Sequence, residues 1–448
     1  MIALLICVLG FVSTFVAARR SLSAGVGVAL TYGYMYGIIR ANFPHPISHF
    51  IFDAALVGLY LAVFTRPKTL TERRRIRRIA PWALVLFAWP AVLALLPIQD
   101  PLIQLVGFRG QVFFLPFLLL GAMFDEGELR KLAFWIAALD IVAFAFASGE
   151  YLLGVPRFYP RNMATEIIYV SRDTANYMAF RIPATFVNPA GYGGVMVLGM
   201  PLLVGAWARK RESTWTRLFI ATALAMAVLG VFLCASRTQA AALIVLAIVV
   251  TLSFRVRMTA YLGWALILGG IAVLVAASPR LQRFTSLQDT SFVENRIRGS
   301  VNSSFLEHAE NYPLGNGLGG GGTSIPYFLQ DRLDEQMVLE NEYARIVVEE
   351  GIPGLMLWIA FIVWVLTRAA PRRSDPWFLG RRLAYVASVV FLGTGLTGLG
   401  LLTWIPGTAL LLFLMGWVAV PNKVGVPVAD PFAPAVMRGE LVSSRAGS

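Results

Sequence analysis

The chain has 448 residues, of which 57% are apolar and only 14% charged, and its mean hydropathy of +0.69 is outside the range of a water-soluble domain. Its net charge of +13 invites a nucleic-acid partner, but the basic residues sit mostly in short loops between apolar runs, where they serve as topology signals. Cys7 and Cys234 both lie inside apolar runs, which excludes a disulfide framework.

Apolar runs near the ~20 residues that cross a bilayer as helix recur from end to end. Spans are predicted at about 2–18, 22–39, 47–64, 79–96, 102–123, 131–153, 190–208, 218–235, 238–254, 259–277, 352–367, 384–403 and 405–420. The expected fold class is therefore all-α, a polytopic membrane protein of about 12–13 transmembrane helices. No basic residue precedes the first run and Arg19 and Arg20 follow it, so it reads as an N-out anchor and not a cleaved signal peptide.

The clusters at Arg73 to Arg78, Arg209 to Arg211, Arg255 with Arg257, and Arg368 to Arg382 fall on alternate loops, hence on one face, the cytoplasmic one. The chain then divides into N-terminal helices (1–153), a first outer loop (154–189), central helices (190–277), a large outer loop (278–351), C-terminal helices (352–420) and a cytoplasmic tail (421–448). The tail, rich in Pro, Val, Ala and Ser, reads as disordered. Chemistry is expected on the outer side, where both long loops lie.

Arg237, in CASRTQAAALIV, is a permanent charge between two apolar runs, where burial is costly unless an anion compensates it. It reads either as a phosphate ligand at the outer boundary or as half of an inter-helix ion pair. Arg109 and Asp140 pose the same question, and the expectation is a buried bridge between neighbouring spans. In the first outer loop, RIPATFVNPAGYGG opens a span with small residues, and Phe158, Tyr159, Tyr169, Tyr177, Phe180 and Phe186 offer either stacking faces for sugars or interfacial anchors.

The run from Gly315 to Gly322 lacks the GK[ST] ending of a P-loop, which argues against nucleotide binding; it reads as a hinge or as a gate for substrate. After it, Glu340, Tyr343 and Val347 share one side of a short helix that Gly351, Pro353 and Gly354 break before the next span. Glu340 so placed can accept a proton from a hydroxyl, cap the helix or pair with Arg345. His45, His49 and His308 have no ligand spacing and no Asp-x-Asp occurs on an outer loop, so a metal-independent activity is expected.

Four segments, TFVNPAGYGG, SRTQAAALI, YPLGNGLG and NEYARIVVEEGIPG, together resemble the O-antigen ligase and polymerase family of bacterial integral-membrane glycosyltransferases, of GT-C-like architecture. The resemblance spans residues 185–367. It departs at Glu340, where many members carry His. It implies inverting transfer of a glycan from a polyprenyl diphosphate donor, such as an undecaprenyl diphosphate-linked oligosaccharide, to an acceptor hydroxyl, without a cofactor.

On this resemblance the catalytic set is Glu340, Arg237 and Arg298, the last lying before Pro313 as the family's loop Arg does, with Arg296 as a near substitute. Asn188, Asn341, Tyr343, Arg181, Arg109 and Gly317 complete the expected substrate contacts. Donor chemistry needs cations more than a general acid, because the leaving diphosphate is already ionised. The implied place is the bacterial cytoplasmic membrane with the site facing outward. The implied partners are the bilayer, the lipid-linked donor, an acceptor glycan or lipid, a flippase and a chain-length regulator. A surface-polysaccharide or exopolysaccharide polymerase is the leading expectation, with an O-antigen ligase or protein O-oligosaccharyltransferase as alternative. A lipid-linked sugar transporter is the reading from another class; no internal repeat favours it.

Overall fold

The computed structural model describes residues 1–170, 180–209, 213–253, 291, 294, 305–323, 325–333, 337, 339, 341–368, 375–398 and 400–420. All regular elements among them are helical. The first six are α1 (Ile2–Arg20), α2 (Leu22–Asn42), α3 (Ile51–Thr65, after a 3-10 turn at Pro46–Phe50), α4 (Leu70–Leu93), α5 (Pro101–Val112) and α6 (Pro116–Met123). There follow α7 (Glu126–Leu153), the short α8 (Glu166–Val170), α9 (Pro189–Trp207), α10 (Thr214–Leu233) and α11 (Arg237–Ser253). The last four are α12 (Phe305–Asn311), α13 (Glu342–Leu366), α14 (Phe378–Thr394) and α15 (Gly407–Ala419).

Nine helical stretches among the described residues are long and apolar enough to cross a membrane, and α11 and α15 are shorter apolar helices. The chain is thus an all-α polytopic membrane protein. Each expected span overlaps a helix except 259–277, which lies outside the described residues, as does the tail 421–448, and the span expected at 384–403 is helical only as far as Thr394. Two boundaries differ in kind. The span at 102–123 is two helices, because Pro116 has no N–H to continue the ladder and instead opens α6 at its first position. The span expected from 352 begins at Glu342, and the foreseen break survives only as a kink at Gly351, whose φ of +71° interrupts an otherwise continuous α13.

Helix termini sort into two ends. At one, α4 opens with a capping box between Thr69 and Glu72 directly before its arginine run. There the Arg75 guanidinium donates to the Phe124 carbonyl at 3.0 Å, Arg209 pairs with Glu126 at 3.7 Å, and Arg381 pairs with Asp375 at 2.9 Å. At the opposite end the loops close over the bundle. The Ile38 amide donates to the Thr185 carbonyl at 3.0 Å, Asn162 reaches the Ala41 carbonyl at 2.9 Å, and Gln99 the Asn316 carbonyl at 2.7 Å. The described members of the basic clusters at this end, Arg75, Arg209 and Arg381, therefore lie away from the described parts of the long loops.

Candidate functional site

Four structures meet at the loop end: the start of α9, the α10–α11 turn, the glycine loop and the head of α13. Asn188 caps α9, its Oδ1 accepting from the Gly191 amide at 2.7 Å, with Pro189 next to it at the first helical position. A Cβ on Gly194 would stand 1.9 Å from the Trp404 ring, so only glycine lets that indole approach α9 so closely. The preceding loop is pinned from below: the Tyr159 hydroxyl lies 2.7 Å from the Ala184 carbonyl and 2.8 Å from that of Phe186, and Glu150 accepts from the Ala184 amide at 3.0 Å. Tyr159 and Phe186 are each 1% exposed, so they anchor the loop and offer no face to a sugar. Tyr177 lies outside the described residues.

Arg237 opens α11, half-buried, after a tight turn in which Ala235 has φ +49°. Left-handed backbone at a residue with a Cβ costs on the order of 1–2 kcal/mol and persists only where the surroundings enforce it. Arg181 does some of that enforcing, its Nε donating to the Cys234 carbonyl at 3.3 Å. The two arginines therefore meet at one turn, Arg181 bonding three residues before Arg237.

Arg109 forms the buried bridge expected of it but with another partner. Its Nε and Nη2 each reach a carboxylate oxygen of Asp53 at 2.8 Å, in a two-pronged pair between α5 and α3. Asp140, fully buried on α7, instead accepts from the Tyr34 hydroxyl at 2.9 Å. The expected Arg109–Asp140 bridge is therefore replaced by Arg109–Asp53, with Asp140 held by Tyr34.

The glycine loop is neither open nor free-standing. The Asn316 amide donates to the Val348 carbonyl at 2.6 Å, and the Ile352 amide to that of Pro313 at 2.9 Å, so the loop clasps the α13 kink. Gly315 and Gly351, with φ of +90° and +71°, stand back to back; a Cβ on Gly315 would meet the Gly351 amide at 2.8 Å. Gly317 is buried against Ile98 and Gln99, a packing position.

The head of α13 is a buried charge network. Asn341 caps the helix, accepting from the Tyr343 amide at 2.8 Å, and the Tyr343 hydroxyl donates to the Leu392 carbonyl at 2.8 Å. Arg345, 1% exposed, binds Glu342 at 2.6 Å and Glu349 at 2.7 Å, and Gln111 donates to the same Glu349 oxygen at 2.7 Å. Glu342 also accepts from the Gly400 amide at 2.7 Å. Arg345 is thus held by Glu342 and Glu349. An apolar groove of about 570 Å³ runs beside this helix from Asn341 to Leu366, against α14.

A cavity of about 480 Å³ opens between the ends of α2 and α5, Asn188, the segment 323–330 and the segment 400–405. Arg40, His49, Arg109, Asn188, Gln330 and Trp404 are among its walls. Of the expected site residues it brings together Arg109 and Asn188. Arg181 and Arg237 sit at the α10–α11 turn, Asn341 and Tyr343 at the α13 head, and Glu340, Arg296 and Arg298 lie outside the described residues. Sequence reading missed Arg40, His49, Glu342 and Gln111. Arg40 ends a span at the loop end, opposite to the basic clusters, which was a usable signal; His49 was set aside for lacking metal spacing.

No cluster of three or more His, Cys, Asp or Glu able to hold a metal occurs among the described residues. Residues 221–359 match the family model described as O-antigen ligase, Wzy_C. No match is found among curated proteins.

Proposed function

We propose that the chain, whose residues 221–359 match the O-antigen ligase family model, is a member of the O-antigen ligase and polymerase family and polymerises lipid-linked oligosaccharide repeats. In this reading it takes a glycan from a polyprenyl diphosphate donor and adds it to a hydroxyl of an acceptor glycan, at the outer face of the cytoplasmic membrane. The observation that carries the reading is that the matched stretch contains Arg237 on its strained turn, the glycine loop and the α13 head, all at the loop end.

Transfer requires that the acceptor oxygen bond to the anomeric carbon while the bond from that carbon to the diphosphate breaks, the electron pair leaving with the diphosphate. Arg237 and Arg298, with Arg296 beside the latter, stabilise that charge, and Arg181 orients the Arg237 turn. Glu340, immediately before the Asn341 cap, takes the hydroxyl proton. Asn188, Tyr343 and Arg109 shape the substrate contacts, and no metal or organic cofactor is needed. The lipid of the donor stays in the bilayer.

The test is glycan profiling of a deletion strain complemented with wild type, Glu340→Gln or Arg237→Ala, with membrane levels followed by blot. Single lipid-linked repeats accumulating without long polymer support polymerisation. Long chains left on the carrier and missing from their acceptor make the protein a ligase instead, and unchanged glycans in both variants defeat the transfer reading.

A further inference from the structure

The cavity between α2 and α5 carries groups for which glycan transfer alone gives no use. Two guanidiniums line it, and no described lining residue is a carboxylate. Arg109 is matched by Asp53 behind it. Arg40 is not: it donates to the Ala164 carbonyl at 3.1 Å and lies over the Tyr36 ring at 5.7 Å, and among the described residues it forms no ion pair. A guanidinium at the membrane boundary is costly without an anion to meet it.

His49 also lines the cavity. It is 7% exposed, and its Nε2 has no hydrogen-bond partner among the described residues. The rings of Tyr327 and Phe328, at 5.7 and 5.2 Å, hold the imidazole in place. Around the cavity stand Asn188, Gln330, Thr403, Tyr327 and Trp404. Stacking faces, neutral donors and one uncompensated guanidinium are what a sugar ring bearing a carboxylate asks for, and the volume suits a small ligand.

We infer that this cavity binds a uronic acid residue of the acceptor glycan, Arg40 taking the carboxylate. The inference rests on the glycan-transfer reading and names its acceptor class. A diphosphate would satisfy the same cation, but the arginines assigned to it lie elsewhere: Gly193 faces the Cys234 turn, whereas Gly191 and Gly194 face Trp404 on the cavity side of α9.

The experiment is calorimetric titration of the full chain in nanodiscs with a glucuronosyl disaccharide, its glucosyl counterpart and inorganic pyrophosphate. The uronate is expected to bind about tenfold or more tighter than the neutral sugar, the scale of one charge-assisted hydrogen bond. Arg40→Gln removes that preference, and Arg40→Lys keeps part of it. Equal binding of the two sugars by wild type, a preference that survives Arg40→Gln, or pyrophosphate displacing the uronate each overturns the inference. The wild-type comparison and Arg40→Lys decide the matter if Arg40→Gln does not fold. Because the titration uses no donor, uronate binding by a chain that fails to restore glycans in the deletion strain defeats the transfer reading and leaves the cavity assignment standing.

Discussion

Arg345 and Arg237 are both intramembrane cations, and their surroundings give them opposite duties. Arg345 has two carboxylates of its own helix around it and the Gln111 amide of α5, so it is a structural keystone. Arg345→Met leaves Glu342 and Glu349 buried without their partner and is expected to cost about 3–5 kcal/mol, read as a lower melting temperature of the detergent-purified protein. Arg237 stands on a turn held in left-handed backbone, the kind of strain that concentrates at working sites. Arg237→Ala is expected to leave melting nearly unchanged and to lower turnover of a lipid-linked donor on the order of 10²-fold, as losing one oxyanion donor does. A folded Arg237→Ala variant with near-normal turnover removes that residue from the machinery.

At the scale of elements, the clasp between the glycine loop and the α13 kink makes a sharp prediction. Gly315→Ala or Gly351→Ala forces a side chain into positive φ and into backbone 2.8 or 2.4 Å away, at a cost on the order of 1–3 kcal/mol. Limited proteolysis is the check: cleavage near 313–322 should rise in both variants and not in Gly398→Ala, which meets only one ordinary contact. This clasp was half legible in the sequence. The glycines and the break at 351 could be read from residue type, because positive φ and missing side chains leave a compositional mark. That the two glycine-bearing segments face each other could not, since the pairing is set by the Asn316–Val348 and Ile352–Pro313 hydrogen bonds between distant parts of the chain. The same limit explains Arg109, where hydropathy located a charge that needs a partner but only helix packing chose Asp53 over Asp140. The helices themselves were legible because a bilayer demands length and apolarity of each one separately.

For the molecule as a whole, the separation of basic clusters from the loop-bearing end predicts sidedness. A cysteine at Arg157, beside the first long loop, should react with a membrane-impermeant maleimide in intact cells whose outer barrier has been permeabilised. One at Arg73, in the arginine run of α4, should react only after the cytoplasmic membrane is opened. The native Cys7 and Cys234 are buried and give little background. Reaction from outside at position 73 with protection at position 157 would invert the proposed topology and place the cavity on the wrong side for a lipid-linked donor already carried across the membrane.

The two halves of the segment 313–333 are held very differently. The first half is sealed into the bundle, glycine against backbone, and nearly any added atom collides. The second half lends Thr323, Ile325, Tyr327 and Gln330 to the cavity wall and is tied down by an exposed pair, Arg332 with Asp100 at 3.2 Å. Evolution can therefore rewrite the second half without unseating the first, so the chain's taste in sugars can drift among descendants while its scaffold is inherited intact.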